Sequence, residues 1–309
     1  MEPVGRMPKR YKVLITGSSG MLGADLCTEL CRDYDLIGFD LIRSSKSEVI
    51  KFYKGDITDG KLVTAIFNKA KPDFVVHTAA WTDVDGCEMN KQKAYGINSE
   101  GTGNIARACK AIDAALIYIS TDFVFDGKSR RPYRETDRAH PISAYGDSKL
   151  KGESLVRKIL KSYYIVRTSW LYGKCGKNFV DTIINKAKSE SSLKVVKDQS
   201  GSPTFTKYLA KALHALLDKA VSQKETKKAI GFGVYHVSNT GKVSWYDYAI
   251  KVLSLVKTKT KVIPITSEDL ARPAPRPRMS VMNNSKFVTF TGYKMPDWDI
   301  ALREYLRKK

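Results

Sequence analysis

A tyrosine and a lysine lie four positions apart in the segment ISAYGDSKLKGE, residues 142–153. Side chains at this spacing share one face of a helix, so Tyr145 and Lys149 would meet if the segment is helical. A nearby ammonium favours the ionised form of a phenol and lowers a pKa that is ordinarily near ~10. The pair therefore predicts an acidic Tyr145 hydroxyl that exchanges a proton near neutral pH. Taken alone the pattern is weak, because the chain has 16 Tyr and 53 Lys and Arg residues.

The elements that would position this pair alternate between strand and helix. Amphipathic segments near 21–33, up to about 70, at 91–110 and from 145 predict helices. The short apolar runs between them predict strands at 11–16, 35–40, 49–56, 73–80, 114–120 and 163–170. Such alternation predicts an α/β fold, with a doubly wound parallel sheet of the Rossmann type.

The pattern loosens after about residue 170, where shorter strands and helices follow a different order. Helices are predicted near 178–189, 206–220 and 244–256, and strands at 193–197, 233–238 and 261–265. The Pro/Arg segment 271–280 cannot be helical. We therefore predict an N-terminal tail (1–10), a dinucleotide-binding Rossmann domain (11–170, extended by parts of 200–260) and a smaller, interwoven substrate-binding lobe (171–309, for the most part).

Three glycines, Gly17, Gly20 and Gly23, follow the first predicted strand and open the first predicted helix. Glycines at such a point let the backbone turn sharply, approach a pyrophosphate and pack the helix on the sheet. The N-terminus of the helix then offers unpaired N–H groups to the phosphates. This order of strand, glycines and helix predicts a dinucleotide-binding loop.

An acidic residue, Asp40, ends the second predicted strand, where it could bind the adenosine ribose hydroxyls or simply cap a loop. An acid there favours NADH, whereas Arg43 could meet the additional phosphate of NADPH. The sequence therefore predicts NADPH or NADH as cofactor and leaves the preference open.

The formal net charge of +21 makes nucleic acid a partner to consider. The Lys and Arg residues are spread over the whole length, however, so no nucleic-acid partner is predicted. No apolar run approaches the roughly 18–20 residues of a membrane span, and the N-terminus has no apolar signal region. Five Cys without metal-ligand spacing favour a reducing cytoplasm.

The glycine spacing, together with the downstream Tyr-x-x-x-Lys, resembles the extended short-chain dehydrogenase/reductase superfamily. Within it the chain is most similar to the dTDP-4-dehydrorhamnose reductases, from about residue 11 to about residue 305. The matching segments are HTAAWTDVDGCE (77–88), STDFVFDG (120–127), PISAYGDSKLKGE (141–153), RTSWLYG (167–173), KNFVDTI (177–183), VVKDQSGSPT (195–204) and RPAPRPRMSVMNNSKF (272–287).

The resemblance implies catalytic roles for Tyr145, Lys149 and Thr121. Tyr145 would be the acid/base, Lys149 would stabilise the ionised phenol and hold the nicotinamide ribose, and Thr121 would bind the substrate oxygen. By position, it also implies cofactor contacts from Met21, Leu22, Asp56, Ile57, Ala79, Ala80 and Trp81. Some family members use a magnesium ion, but the sequence does not show where one would bind, and no metal ligand is predicted.

The resemblance implies substrate contacts from Thr121, Asp122, Phe123, Trp170, Asn178 and Arg276. Related dehydratases carry a Glu where this chain has Phe123, so dehydration is disfavoured because a phenyl ring cannot transfer protons. Position 123 is usually Tyr in the reductases. Trp170 lies where the reductases place an aromatic ring against the deoxysugar, although a tryptophan is also a common core residue.

Arg276 belongs to a loop that also carries Arg272 and Arg278. Guanidinium groups match phosphate oxygens, so the loop could clamp the substrate's pyrophosphate. The alternative is a solvated basic loop that its prolines hold stiff.

The predicted function is reduction of the C4 ketone of dTDP-4-dehydro-6-deoxy-L-mannose to dTDP-L-rhamnose by NADPH or NADH. A related nucleotide-sugar reductase or epimerase is an alternative. Another is a non-catalytic regulatory subunit like that of methionine adenosyltransferase, which lacks the Thr-Ser-Trp present here at 168–170. The oligomeric state stays open, with a homodimer as one arrangement that the sequence allows.

Overall fold

The computed structural model describes residues 10–44, 49–226 and 231–307 of the chain. Most of the predicted N-terminal tail, residues 1–9, lies outside the described residues. Arg10 is described, and its guanidinium donates hydrogen bonds to the carbonyl oxygens of Cys31 and Tyr34.

The first half of the chain alternates between strand and helix. Its elements are β1 (Lys12–Thr16), α1 (Met21–Leu30), β2 (Asp35–Asp40), β3 (Lys51–Lys54), α2 (Gly60–Ala70), β4 (Phe74–His77), α3 (Val84–Met89), α4 (Lys91–Tyr95), a π-helical turn (Gly96–Gly101), α5 (Thr102–Ala111), β5 (Ala115–Thr121), a 3₁₀ turn (Asp122–Val124), α6 (Ala144–Ile159) and β6 (Tyr163–Thr168).

The second half has shorter strands and six helices within the described residues. Its elements are β7 (Leu171–Tyr172), α7 (Phe179–Lys186), β8 (Ser192–Val196), β9 (Ser200–Gly201), β10 (Thr204–Phe205), α8 (Thr206–Thr226), β11 (Gly233–His236), β12 (Val243–Ser244), α9 (Trp245–Leu255), β13 (Lys261–Ile265), α10 (Ser267–Leu270), α11 (Ser285–Thr291) and α12 (Trp298–Arg307).

The main sheet has seven strands in the order β11-β6-β5-β4-β1-β2-β3, and each neighbouring pair is parallel. The strand order reverses between β1 and β4, which is where ligands bind in open α/β sheets. The predicted Rossmann-type fold is therefore confirmed. Its strands leave Thr16, Asp40, His77, Thr121 and Thr168 at their carboxyl ends.

Apolar side chains cover both faces of this sheet. On one face Leu26 of α1 packs in the same core as Leu213 and Leu216 of α8, and all three side chains are fully buried. The other face carries Phe67 of α2 and Ile105 of α5 in a second core. Burying each such side chain contributes about 1.5–3 kcal/mol. Because the sheet is covered on both sides, its strands are continuous apolar runs.

Segments from the second half of the chain complete the main sheet and its helical layer. Strand β11 pairs with β6 at the edge of the main sheet, and α8 packs along α1. Helices α7, α9 and α12 bury Ile183, Val252 and Leu302 in a separate core. The chain therefore passes more than once between the main sheet and this second core.

The predicted helix at 91–110 differs from the structure in its hydrogen bonding. A π-helical turn at Gly96–Gly101 separates α4 from α5. The side chain of Asn98, inside this turn, accepts from the backbone N–H of Trp81 at 2.8 Å and donates to its carbonyl at 3.0 Å. Single π-helical turns inside helices often occur at functional sites. Here the turn directs Asn98 toward the loop after β4.

Candidate active site

A cavity of about 1220 Å³ lies over the carboxyl ends of the central strands. It exceeds the ~300–1,000 Å³ of an ordinary small-molecule site, so it has room for two ligands. The predicted site residues that line it are Gly17, Gly20, Met21, Leu22, Asp40, Asp56, Ile57, Ala79, Ala80, Trp81, Thr121, Asp122, Phe123, Tyr145, Lys149, Trp170 and Arg276. Among the described residues, Gly23, Arg43 and Asn178 are predicted site residues outside this lining.

Glycines let the chain between β1 and α1 pack closely against its neighbours. Gly17 has a φ of +68°, and a Cβ there would lie 2.7 Å from the hydroxyl oxygen of Thr78 and 2.8 Å from the backbone nitrogen of Ala79. A Cβ on Gly23 would overlap the carbonyl oxygen of Gly17, so Gly23 packs α1 against the loop. This backbone cradle at a helix N-terminus fits the pyrophosphate of a dinucleotide.

Asp40 lies beside the glycine loop at the end of β2. Its carboxylate accepts hydrogen bonds from the backbone N–H groups of Ser19 at 2.9 Å and Leu41 at 2.7 Å. The cavity-lining position fits a role at the adenosine ribose, where a carboxylate binds hydroxyls. Arg43 instead places its guanidinium 5.8 Å from the centre of the Phe52 ring.

Tyr145 lies at the centre of the cavity lining with only 9% of its surface exposed. Burial raises the pKa of its phenol well above the usual value, and the nearby charge of Asp122 raises it further. A hydrogen bond with Thr121 opposes this rise. The prediction of an acidic phenol is therefore wrong for this structure, because desolvation outweighs the effect of any cation.

Lys149 is buried on the same helix, α6, with 3% of its surface exposed. Its ammonium donates to the carbonyl oxygen of Ile119 at 2.7 Å and lies 4.3 Å from the centre of the Tyr118 ring. Burial lowers the pKa of Lys149 to about 7, although the charge of Glu153 opposes this shift. The ammonium thus points toward β5, and it loses its proton at a lower pH than an exposed lysine does.

Asp122 and Phe123 follow Thr121 in a 3₁₀ turn at the end of β5. Thr121 donates to the carboxylate of Asp122 at 3.1 Å, and burial raises the pKa of that carboxyl to about 6. The Phe123 ring meets the Tyr145 ring edge to face, with centroids 5.5 Å apart. Phe123 therefore forms an apolar wall against the phenol.

A buried ion pair between α6 and β6 lies next to the end of β5. Glu153 is fully buried on α6, and its carboxylate accepts from the guanidinium of Arg167 at 2.7 and 2.8 Å. The same carboxylate accepts from Ser120 at 2.7 Å and from Arg157 at 2.9 Å. Ser120 directly precedes Thr121, so this network joins α6, β5 and β6 next to the cavity-lining Thr121 and Lys149.

Trp170 lines the far end of the cavity in an unusual backbone conformation. Its φ is +49°, and left-handed backbone at a residue other than glycine costs about 1–3 kcal/mol. Its indole stacks on that of Trp245 with centroids 3.5 Å apart and planes 3° apart. Trp245 also lines the cavity. It is not among the predicted site residues, because no motif near Trp170 or Trp245 signals their contact.

The side chain of Asn178 performs a structural role. It caps α7 by accepting from the backbone N–H of Asp181, and it donates to the carbonyl oxygen of Gly173 at 3.0 Å. The preceding residue, Lys177, is the one that lines the cavity.

Arg276 lines the cavity while its guanidinium holds a carboxylate. It donates to both oxygens of Asp85 at 3.0 and 2.9 Å, and Arg272 donates to the same carboxylate at 2.9 Å. Burial alone would raise the pKa of Asp85, but the two arginines hold it at about 2. These contacts fasten the 271–280 loop to α3 across the cavity.

The described residues include neither a cluster of metal ligands nor a membrane-spanning helix. Within residues 10–44, 49–226 and 231–307, no three His, Cys, Asp or Glu side chains are grouped as metal ligands. None of the helices in these same segments is long and apolar enough to cross a membrane.

The fold and the site define a nicotinamide-dinucleotide reductase of the extended short-chain dehydrogenase/reductase superfamily. Residues 11–309 match the family described as RmlD substrate binding domain. The chain belongs to the dTDP-4-dehydrorhamnose reductase family, as its sequence motifs predicted.

Several relatives match this chain over nearly its whole length. The spore coat polysaccharide biosynthesis protein SpsK of Bacillus subtilis is 39% identical, over 96% of this chain and 98% of the relative. A dTDP-4-dehydrorhamnose reductase of Streptomyces griseus is also 39% identical, over 96% and 93%. The crystal structure of dTDP-4-dehydrorhamnose reductase from Bacillus anthracis in complex with NADP has a TM-score of 0.85 and 36% identity, and covers 97% of this chain and 100% of its own.

Proposed function

We propose that this protein reduces the C4 ketone of dTDP-4-dehydro-6-deoxy-L-mannose to give dTDP-L-rhamnose, with NADPH or NADH as reductant. The observation that carries the proposal is the convergence of Tyr145, Thr121 and Lys149 in one cavity with the glycine loop. The reductase names of the relatives support the same reaction.

The residues present fit a dinucleotide, because the glycine cradle and Asp40 lie at one end of the cavity that contains Tyr145. NADPH or NADH, when bound, supplies the hydride for the carbonyl carbon. Thr121 and Tyr145 supply the hydroxyls that hydrogen-bond the carbonyl oxygen. Because burial keeps the Tyr145 phenol protonated at neutral pH, it holds the proton that the oxygen takes as negative charge develops there.

Lys149 and Phe123 assist this proton transfer in different ways. The ammonium of Lys149, on the same face of α6, stabilises the phenolate that remains after Tyr145 gives up its proton. Phe123 covers the phenol ring and keeps water from it. The same position cannot serve as the acid of a dehydration, because phenylalanine has no titratable proton.

We assign the substrate's pyrophosphate to Lys177 in preference to Arg276. Both residues line the cavity, and both have basic side chains that suit phosphate oxygens. The guanidinium of Arg276 is already bidentate on Asp85, whereas Lys177 is exposed at the cavity rim. The Trp170 end of the cavity would then receive the dTDP-sugar, opposite the Asp40 end.

Replacing Tyr145 by Phe tests the mechanism. The variant Tyr145→Phe should lose about 10²–10⁴-fold in kcat, the usual size of a general-acid contribution, and still bind cofactor. The assay follows NADPH or NADH oxidation with a panel of dTDP-4-ketosugars. The matched control is Tyr95→Phe, which removes a hydroxyl that donates to Asp147. Undiminished turnover in Tyr145→Phe would reject the mechanism.

The cysteines bear on the compartment in which the reaction takes place. Five cysteines without metal-ligand spacing suit a reducing compartment, and we place the enzyme in the cytoplasm. No nucleic-acid or membrane partner is required by the reaction. A homodimer is a hypothesis that light scattering of the purified protein tests directly.

A further inference from the structure

The two faces of the Trp170 ring are covered by different parts of the chain. The stacked ring of Trp245 covers one face at 3.5 Å. A Cβ built on Gly201 would lie 2.6 Å from Cζ2 and 2.7 Å from Nε1 of Trp170, and nearer still to Cε2, which is bonded to both. That pattern places Gly201 over the ring plane, on the face away from Trp245. Trp170 therefore presents its edge to the cavity.

One small structural unit supplies both sides of this sandwich. Strand β9 pairs antiparallel with β12, so that Gly201 lies opposite Val243. Trp245 begins α9 directly after β12, and its backbone N–H donates to the carbonyl oxygen of Gln199 at 3.3 Å. The pairing of β9 with β12 thus fixes the distance between Gly201 and Trp245, which cover the two faces of the Trp170 ring.

The sandwich is also held from outside. Phe179 of α7 packs on Trp245, with centroids 4.3 Å apart, and the carbonyl of Trp170 accepts from the backbone N–H of Thr204 at 3.1 Å. Trp170 needs such support, because its left-handed backbone is unfavourable for a residue with a side chain. The stacking contacts, and not the backbone preference of Trp170, therefore keep the ring in this position.

The sandwich lies at the end of the cavity where the proposed function places the sugar nucleotide. Gln199, Lys177 and Pro277 line the cavity together with the two tryptophans. We propose that Trp245 and Gly201 are positioning residues for the substrate: they hold the edge of Trp170 in the cavity wall, and this fixed edge sets the affinity for the dTDP-sugar. The inference rests on the proposed function and adds to it two residues that act through Trp170.

Two substitutions disturb the sandwich from opposite sides. Trp245→Leu removes the stacked ring, and Gly201→Ala adds a methyl group that must push the Trp170 ring toward Trp245 and shift its edge in the cavity wall. Each should raise KM for the dTDP-4-ketosugar about tenfold or more and leave kcat within about threefold, because the ring contributes to binding in both ground and transition states. The Kd for NADPH or NADH should not change. Trp245→Phe should restore most of the affinity, because it returns an aromatic ring.

A spectroscopic readout follows the stack itself. The chain has four tryptophans, and two parallel indoles at this distance give a coupled band in circular dichroism. The band should be lost in Trp245→Leu and in Trp170→Leu, and kept in the control Trp298→Phe, whose ring packs on Tyr248 at 5.6 Å. A band kept in Trp245→Leu, or an unchanged sugar KM in both Trp245→Leu and Gly201→Ala, would overturn the proposal.

Binding of dTDP-L-rhamnose, measured by calorimetry, separates this inference from the proposed function. If the unaltered protein binds dTDP-L-rhamnose but turns over no ketosugar, the proposed function fails. In that case, weaker binding of dTDP-L-rhamnose by Trp245→Leu supports the positioning role, and an unchanged Kd rejects it. If the unaltered protein does not bind dTDP-L-rhamnose, both are overturned. A loss of sugar and cofactor affinity together would also reject the positioning role, since it would indicate general loosening of the fold.

Discussion

Lys149 is a buried cation whose ammonium touches the Ile119 carbonyl and the Tyr118 ring. Its pKa, lowered to about 7 by burial, means that the side chain is charged below that pH and neutral above it. Tyr145 does not titrate in this range, because burial raises its pKa. The pH dependence of the reaction rate should therefore follow the protonation state of Lys149.

We predict that kcat/KM for ketone reduction falls as the pH rises through about 7, as the Lys149 charge is lost. Lys149→Arg should move this fall to higher pH, because a guanidinium keeps its charge to a pH above ~12. The measurement is the initial rate of cofactor oxidation across the pH range, with Lys151→Arg as a control on the same helix. A profile that is the same in Lys149→Arg and the unaltered protein would contradict the assignment.

Phe123 controls the surroundings of the Tyr145 phenol through the edge-to-face ring contact. Phe123→Ala should hydrate the phenol and lower kcat by about tenfold, because a general acid acts best when held in one position. Phe123→Tyr keeps the ring and should retain most of the activity. Steady-state rates with one ketosugar compare the two variants. Equal rates for Phe123→Ala and the unaltered enzyme would show that the wall is dispensable.

At the scale of elements, helix α6 connects Tyr145 and Lys149, the proposed catalytic residues, to the interior of the protein. Tyr145, Lys149 and Glu153 follow one another at four-residue intervals, so the helix carries all three on one face. Glu153 in turn binds Arg167 on β6 and Ser120 on β5. The same ion pair therefore anchors the helix and aligns the strand that ends in Thr121.

Removing the charge of Glu153 should destabilise the protein strongly. Glu153→Gln leaves the buried guanidinium of Arg167 without a counter-charge, which costs about 3–5 kcal/mol in comparable cases. Urea unfolding at neutral pH measures the free energy of unfolding, and Glu190→Gln, at an exposed position, is the matched control. A loss below about 1 kcal/mol, typical of a surface pair, would contradict this role.

Local patterns predicted the elements that depend on neighbouring residues. The glycine loop and the Tyr145–Lys149 helix were predictable because spacing along the chain decides both. The contact of Trp245 with Trp170 was not, since it depends on the pairing of β9 with β12. The upward shift of the Tyr145 pKa was not predictable either, because it depends on burial by residues distant in the sequence. Matching a motif also placed Asn178 at the substrate, whereas its amide caps α7.

At the scale of the whole molecule, two histidines are buried in the main sheet. His77, on β4, contacts the hydroxyls of Thr16 and Thr102, and His236 lies on β11. Burial lowers the pKa of each to about 3, with positive charge from Lys149 adding to the shift at His77. Both are therefore neutral in the folded protein at moderately acidic pH.

This burial predicts a loss of stability in acid. The unfolded chain protonates each histidine below a pH of ~6.5 while the folded protein does not, so unfolding takes up protons. Stability should be complete above that pH and fall toward pH 3, by up to about 1.4 kcal/mol per pH unit for each histidine. Urea unfolding at several pH values measures the slope. His77→Gln should reduce the slope, and His214→Gln, at a partly exposed position on α8, is the control. Equal slopes in His77→Gln and the unaltered protein would reject the account.

The order in which this chain leaves the ribosome has a consequence for its folding. The strands from β1 to β6 emerge first, but α8 and β11, which cover α1 and complete the sheet edge, come only with residues 206–236. Until then the nascent chain exposes the apolar face that carries Leu26 and an unpaired strand, both of which promote aggregation. Productive folding of the nucleotide-binding half must therefore wait for translation of the second half, so chaperones that shield nascent chains should favour a high yield.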